Sequence, residues 1–147
     1  MRVSKDKFDL NTGAMSLLRI HYGIILLAHG WLKIFVFTLE GTAAYFSSIG
    51  LSPMFAYFVS VGELVGGIAL ILGVQTRLAA FLSIPIVFGA AVVSIDNGWL
   101  HSANGGGWEY AASLTVIAIV IAMSGPKAAF GLNIHPLNSI LPKFIRD

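Results

Sequence analysis

The chain has 147 residues, of which 56% are hydrophobic and only 11% are charged, and its mean hydropathy is +0.83. This composition is far from that of a soluble globular protein, so we expect a single-domain integral membrane protein whose surroundings are the lipid bilayer. The net charge of +2 is too small to favour a nucleic-acid partner, and the absence of cysteine excludes disulfides, thiol chemistry and iron–sulfur clusters held by this chain.

The first long apolar segment, residues 16–37, can cross a bilayer, which takes about 20 predominantly apolar residues. It nevertheless contains Arg19, His29 and Lys33, which an ideal helix places within about 80° of one another. A charge that faces lipid near the bilayer centre costs roughly 2.5–3.5 kcal/mol, so this polar stripe should face protein or a water-filled cavity. The segment lacks the features of a cleavable signal peptide, and we expect it to be retained.

A short helix at the membrane interface is predicted after the first span. Residues 38–53 are too few to cross a bilayer, and the aromatic rings of Tyr45 and Phe46 favour the interfacial level. The second span, residues 54–72, carries a single ionisable side chain, Glu63. That position suits a structural carboxylate paired with Lys33 or His29, and it equally suits a carboxylate that exchanges protons or binds a ligand.

The second and third spans should be antiparallel neighbours because only a short turn separates them. The third span covers residues 78–95, and the fourth covers residues 108–124 after a loop rich in glycine and aromatic residues. Residues 135–147 are predicted to be an amphipathic cytoplasmic tail. In the second span, Gly62 and Gly66 form a G-x-x-x-G pattern, and Gly66 and Gly67 add another small surface beside Glu63. These glycines predict close helix packing.

The basic residues indicate how the chain is oriented. Apart from Arg19 and Lys33, every lysine and arginine lies in the amino-terminal segment, in the turn before the third span or in the tail. The positive-inside rule then places both termini in the cytoplasm. The predicted fold is an all-α membrane protein, a four-transmembrane-helix bundle with a short interfacial helix between helices 1 and 2.

This topology gathers polar residues around one outward-facing pocket. At a rise of 1.5 Å per residue, Glu63 lies roughly 15 Å deep and His29 about 10 Å from the outer end of its own helix, so the two side chains can meet. We interpret Glu63, His29 and Lys33 as the candidate catalytic residues. The candidate ligand-binding residues are Arg19 on the cytoplasmic side, and Asp96, His101, Trp108 and Glu109 on the outer side.

No familiar metal or haem site is predicted. Haem would call for two histidines at matched depth on different helices, and the sequence does not supply them. Imidazole and carboxylate groups at His29, Glu63, His101 and Glu109 suit zinc, iron or manganese, but no close-spaced ligand motif supports such a site. We therefore expect no haem, iron–sulfur, thiol or metal site.

Four sequence pieces resemble the DoxX family of small four-helix membrane proteins, over nearly all of residues 1–134. They are Arg19 followed by HGWLK at 29–33, IGLSP at 49–53, ELVGGIALILGVQTRLAA at 63–80, and GGWEY at 106–110. The resemblance implies a multi-pass protein of the bacterial or archaeal cytoplasmic membrane, often regarded as an oxidoreductase or a subunit of a quinone-linked redox system. The polar positions that match are Arg19, His29, Lys33, Glu63, Arg77 and Glu109.

The leading functional hypothesis is a membrane subunit of a redox system that binds a quinone or a similar small lipophilic molecule. His29 or Lys33 would face a carbonyl oxygen, and Glu63 or Glu109 would exchange protons. Because the chain has no recognisable ligands for a redox centre of its own, a redox partner protein would supply the electrons, and a homodimer is also compatible. The alternatives are a proton-coupled carrier of small solutes or ions and a non-catalytic membrane scaffold subunit.

Overall fold

A computed structural model describes residues 10–125, 131, 132 and 134–147, and this part of the chain is helical and contains no strand. The prediction of an all-α protein is therefore confirmed. The helices are α1 (Leu10–Trp31), its π-helical continuation (Leu32–Val36), α2 (Leu39–Ser48), α3 (Pro53–Leu72), α4 (Thr76–Val93) and α5 (Glu109–Ser124), with 3₁₀ turns at Ile95–Asn97 and Lys143–Ile145.

The helix limits lie close to those expected from the sequence, except at the start of α1. Within the described residues α1 already includes Leu10, six residues before the predicted span, because polar residues can form helical turns outside the apolar segment. The short helix expected after the first span is present as α2. Pro53 begins α3, and Gly73 ends it in the left-handed conformation that glycine adopts without strain.

Two of these helices, α3 and α4, are long and apolar enough to cross a membrane. The continuous segment Leu10–Val36 passes the same test together with α2, although the two are bent by 101° relative to each other. The apolar helix α5 has 16 residues, a length of about 24 Å. The described residues therefore contain two candidate membrane spans, or three if the bent pair counts as one.

Helices α1 and α3 form a close pair through glycine. A Cβ atom on Gly67 would lie 2.6 Å from the Leu27 nitrogen and 2.7 Å from the Gly23 oxygen. By contrast, a Cβ on Gly66 would meet nothing within 4 Å, and one on Gly62 would meet only the end of a side chain of α4. The close packing predicted for these glycines is thus found at Gly67 and not at Gly66, because each residue turns the helix surface by about 100°.

The hydrophobic core lies where α1 and α3 meet α4 and α5. The face of α1 that carries Arg19 is buried, as the polar stripe predicted, and Tyr22 on this face is completely buried. Its hydroxyl group is 2.8 Å from Ser83 Oγ, which connects α1 to α4. Leu26 on α1 and Leu70 on α3 are among the largest fully buried side chains of the described residues.

The segment after α5 contacts the turn between α3 and α4. The Gln75 backbone N–H donates to the Ile134 carbonyl at 3.1 Å. The Arg77 N–H, in the first turn of α4, donates to Asp147 Oδ1 at 2.8 Å. The other carboxylate oxygen of Asp147 lies 3.1 Å from His135 Nδ1. Through these contacts, residues 134–147 pack against the end of the bundle opposite the candidate site described below.

Candidate functional site

An ion pair joins the π-helical continuation of α1 to α3. The Lys33 Nζ atom is 2.6 Å from Glu63 Oε2, and the side chains are 20% and 8% exposed respectively. A carboxylate buried between helices without a cationic partner would be strongly destabilising. Lys33 therefore offsets the free-energy cost of burying the Glu63 carboxylate. Of the two partners that the sequence leaves open for Glu63, the structure shows Lys33 rather than His29.

The backbone around Lys33 departs from a regular α-helix. Over Leu32–Val36 the helix widens, and the Phe37 N–H donates to the Leu32 carbonyl five residues earlier, at 2.9 Å. The next residue, Thr38, has φ 63° and ψ 157°, a region that is essentially restricted to glycine. Because π-helical turns and strained residues are frequent at functional sites, this geometry draws attention to Lys33 independently of its charge.

Two threonine side chains hold the bend that follows. Thr38 Oγ1 accepts a hydrogen bond from the Gly41 N–H at 3.1 Å and so caps α2. The Thr42 hydroxyl, which is buried, donates to the Lys33 carbonyl at 3.0 Å. Nothing in the sequence pattern indicates these roles, because they depend on the angle between two helices rather than on periodicity within one.

A cavity of about 550 Å³ lies between the π-helical segment and α2. Its ionisable groups are His29 and Lys33, and Phe37, Tyr45 and Phe46 supply aromatic walls. The remaining lining residues are Leu32, Gly41 and Thr42. We call this space the Lys33 cavity. Hydrogen-bond donors beside flat apolar surfaces suit a small lipophilic molecule that carries carbonyl or carboxylate oxygens.

The three candidate catalytic residues have different relations to the Lys33 cavity. His29 and Lys33 line it, and His29 is exposed although the sequence places it on the polar stripe. Glu63 does not line the cavity, and its connection to it runs through the ion pair with Lys33. The three side chains therefore lie close together, and Lys33 is the one that both lines the cavity and contacts Glu63.

Arg19 lies away from this neighbourhood, near the other end of α3. Its side chain is buried and donates to the Leu70 carbonyl, with a longer contact of 3.5 Å to the Ile71 carbonyl. Carbonyl groups in the last turn of a helix have no partner within the helix, and a cation is favoured there. In this structure Arg19 therefore caps the end of α3.

The outer-side ligand candidates lie at the loop between α4 and α5. They are Asp96, His101, Trp108 and Glu109, and none of them lines the Lys33 cavity. Glu109 Oε1 accepts a hydrogen bond from the His101 backbone N–H at 2.7 Å, and Trp108 packs edge-on against Trp99 with ring centroids 4.4 Å apart. The single pocket expected from the sequence is thus divided, because α1 packs mainly on α3 while α4 packs mainly on α5.

Within the described residues, no three histidine, aspartate or glutamate side chains come together as metal ligands. The four metal ligands considered from the sequence fall into the two groups just described. One group contains His29 and Glu63, and the other contains His101 and Glu109. His101 and Glu109 contact each other through a backbone N–H, which orders the loop and leaves the imidazole against the ring of Tyr110, with centroids 5.3 Å apart.

Comparison with known proteins agrees with the resemblance found in the sequence. The sequence model of the DoxX family matches residues 14–95, which contain most of α1, all of α2, α3 and α4, and the Lys33 cavity. The chain is 33% identical over 109 residues to a Bacillus subtilis (strain 168) protein named "Putative oxidoreductase CatD", an alignment that covers 74% of this chain and 78% of the relative. No solved structure matches the chain. The protein is therefore a member of the DoxX family.

Proposed function

We propose that this protein is a membrane subunit of a redox system and that it binds a quinone, or a similar small lipophilic molecule, in the Lys33 cavity. The observation that carries the proposal is the Lys33–Glu63 ion pair, which places a cation at the wall of a cavity with aromatic sides. The relative CatD supports a redox role, because its name describes it as an oxidoreductase.

The shape and chemistry of the cavity fit a quinone ring. Its volume of about 550 Å³ lies within the range of roughly 300–1,000 Å³ that is usual for small-molecule sites. The rings of Phe37, Tyr45 and Phe46 offer surfaces against which a flat ring can stack. Lys33 has three N–H donors, of which the bond to Glu63 uses one, so others are left for a carbonyl oxygen.

The residues have distinct roles in this proposal. Reduction of a quinone to a quinol consumes two electrons and two protons, and the negative charge develops on the carbonyl oxygens. The Lys33 ammonium stabilises that charge by a hydrogen bond in a site of low dielectric. His29 delivers one proton from the exposed side of the cavity, and the Lys33 ammonium delivers the second. The Glu63 carboxylate favours the ammonium form of Lys33, which regains its proton from the exposed side of the cavity. A partner protein with its own redox centre supplies both electrons.

The proposal includes a membrane arrangement. The four spans are α1 with its π-helical continuation, α3, α4 and α5. With Trp108 before it, α5 has 17 residues, the lower end of the length that crosses a bilayer. Both termini face the cytoplasm, and the Lys33 cavity opens towards the outer side of the cytoplasmic membrane. Residues 135–147 form the cytoplasmic tail. A homodimer is compatible with this arrangement.

The test is organic extraction of the purified, detergent-solubilised protein, followed by mass spectrometry for bound small molecules. We expect a quinone at close to one molecule per chain, and at least tenfold less in Glu63→Gln and His29→Ala. Matched controls are Glu40→Gln and His21→Ala, which change exposed residues outside the Lys33 cavity and should retain the quinone.

Recovery of phospholipid alone from the wild-type protein would contradict quinone binding. Equal loss of quinone from the control variants would show that the Lys33 cavity is not the site. Substrate flux in sealed vesicles without a partner protein would then favour the carrier. Coupling between Lys33 and Glu63 in stability, without any effect on activity, would favour the scaffold.

A further inference from the structure

Residues 140–147 form an exposed surface, partly apolar and partly cationic, beside the start of α4. We call it the tail surface. The ring of Phe144 is 68% exposed and packs edge-on against the ring of Phe81, with ring centroids 6.3 Å apart. Ile140 is 76% exposed. Large apolar side chains that are exposed in this way gain free energy when they are removed from water.

The contact with Phe81 shows at which level of the membrane the tail surface lies. Phe81 belongs to α4, which is long and apolar enough to span a membrane, and it lies about 7.5 Å along the axis from Thr76, the first residue of that helix. Its ring is 44% exposed on the span and therefore faces lipid. Phe144 thus lies where the hydrocarbon meets the head groups, the level at which interfacial segments bury their apolar side chains.

Cationic side chains lie close to Phe144. Lys143 precedes it in the 3₁₀ turn, and Arg146 follows it, and both are exposed. Arg77, in the first turn of α4, donates through Nη1 to the Phe144 carbonyl at 3.4 Å. A lysine or arginine at this level attracts anionic phospholipids, and each one strengthens binding about fivefold.

The acidic residue of this segment does not oppose that attraction. Asp147 is the only aspartate or glutamate among residues 134–147, and its side chain is 0% exposed. Its carboxylate accepts from the Arg77 N–H and contacts His135. Arg146 donates through Nε and Nη2 to the Leu141 carbonyl, which orients its guanidinium and leaves N–H groups for a phosphate oxygen. The side-chain charge that the tail surface presents is therefore positive.

We propose that the tail surface binds anionic phospholipids, with Phe144 among the upper parts of the acyl chains and Lys143 and Arg146 on the phosphate groups. A zwitterionic phospholipid fits less well, because its own cation repels these side chains. A soluble acidic partner fits less well because Phe144 lies beside the lipid-facing ring of Phe81. The proposal requires α4 to cross the membrane, and it does not depend on quinone binding in the Lys33 cavity.

The experiment places a bimane fluorophore on Phe144→Cys in the full-length protein, where this is the only thiol of the chain. The vesicles contain equal parts of phosphatidylcholine and phosphatidylglycerol. A nitroxide near the head-group end of an acyl chain, which quenches bimane, is carried either by phosphatidylglycerol or by phosphatidylcholine. The two membranes are otherwise identical, so the ratio of quenching measures which lipid lies beside the label. We expect phosphatidylglycerol to quench at least fivefold more, the factor for one cationic side chain.

Further variants assign the preference to the tail surface. Lys143→Gln combined with Arg146→Gln should bring the ratio to about one and leave quenching by phosphatidylcholine in place. Lys143→Arg combined with Arg146→Lys keeps both charges and should keep the ratio. The matched label is Ile95→Cys, because Ile95 is also apolar and exposed but follows the other end of α4, next to Asp96. Both lipids should quench that label, without a preference for phosphatidylglycerol.

Several results would overturn the proposal. Equal quenching of the Phe144→Cys label by the two lipids would show no selectivity, and the same preference at Ile95→Cys would reflect only the net charge of the chain. A preference that persists in the double glutamine variant would show that Lys143 and Arg146 do not select the lipid.

The pattern of quenching also separates this proposal from the membrane arrangement on which it rests. Quenching of the Ile95→Cys label alone would show that the protein is inserted and that the tail surface contacts a soluble partner instead of the bilayer. Quenching of neither label would show that α4 does not span the membrane, which would overturn both. Neither result bears on the extraction of quinone.

Discussion

Lys33 and Glu63 combine a structural and a chemical role at one position. Their ion pair links α1 to α3 at 2.6 Å, and the same Lys33 lines the candidate quinone cavity. A buried pair of this kind is weak support for stability by itself, because removing two charges from water offsets much of their attraction. Replacing only one of the two residues is strongly destabilising, since the remaining charge is left buried and unpaired.

We therefore predict strong coupling between the two residues. Lys33→Met and Glu63→Leu should each lower the free energy of unfolding by about 2–3 kcal/mol, and the double variant should lose about 2 kcal/mol less than the sum of the two. Unfolding in detergent measures all three values. Lys33→Met combined with Asp96→Asn should be additive, because Asp96 lies in the other group of residues. Additivity of Lys33 and Glu63 would show that the pair contributes nothing.

Thr38 is the residue where the backbone itself is most unusual. It has φ 63° and ψ 157°, a conformation that strains a β-branched residue, while its hydroxyl caps α2 through the Gly41 N–H. The cap and the strain have opposite effects on stability, and substitutions separate them.

Thr38→Gly should raise the free energy of unfolding by about 1 kcal/mol, because glycine removes the strain and costs only a few tenths as a cap. Thr38→Ala should lower it by about 1 kcal/mol, since alanine keeps the strain and loses the cap. Thermal unfolding of the two variants side by side is the measurement. If the alanine variant were as stable as the glycine variant, Thr38 would not be strained.

At the scale of helices, the α1–α3 pair depends on which face of α3 carries glycine. Gly67 allows the backbone of α1 to approach, whereas its neighbour Gly66 borders an open groove between α3 and α4. The two glycines are adjacent in sequence and differ only in direction, so they form a natural matched pair for substitution.

Gly67→Ala should lower the free energy of unfolding by about 2 kcal/mol, because the added methyl group overlaps the backbone of α1 and forces the helices apart. Gly66→Ala should raise it by about 0.5–1 kcal/mol, since alanine favours the helix and meets no neighbour. Unfolding in detergent distinguishes the two. Equal effects would mean that the close contact between α1 and α3 is not made at Gly67.

For the whole molecule, the proposed four-span arrangement determines which loops face which side of the membrane. The loop between α4 and α5 and the tail after α5 are separated by one span, so they should lie on opposite sides. Both contain exposed serine residues, Ser102 and Ser139. Because the chain has no cysteine, a cysteine introduced at either position is the only thiol in the chain that a maleimide can label.

We predict that Ser102→Cys reacts with a membrane-impermeant maleimide in intact cells. Ser139→Cys should react only after the membrane is permeabilised, because the basic residues place the tail in the cytoplasm. The measurement is the extent of labelling by gel shift. Labelling of both positions from outside would show that α5 does not span the membrane.

The sequence by itself determined that the protein is all-helical and indicated most helix ends, because apolar runs and glycine or proline breakers act locally. It also predicted a polar stripe on α1 facing protein or a cavity, since helical periodicity assigns these residues to one face; Arg19 is buried, whereas His29 is exposed at the Lys33 cavity. The sequence also predicted that Glu63 pairs with a basic residue of the first span, because an unpaired charge in lipid is costly. The choice between Lys33 and His29 did not follow, because both lie on the same stripe.

Only the tertiary structure decided how the helices meet. The bend of 101° before α2 encloses the Lys33 cavity, and the division of the polar residues between that cavity and the α4–α5 loop follows from which helices pack together. The open groove between α3 and α4 beside Gly66 also depends on contacts between separate helices. Such contacts are set by interhelical angles and packing, which no local pattern of residues encodes.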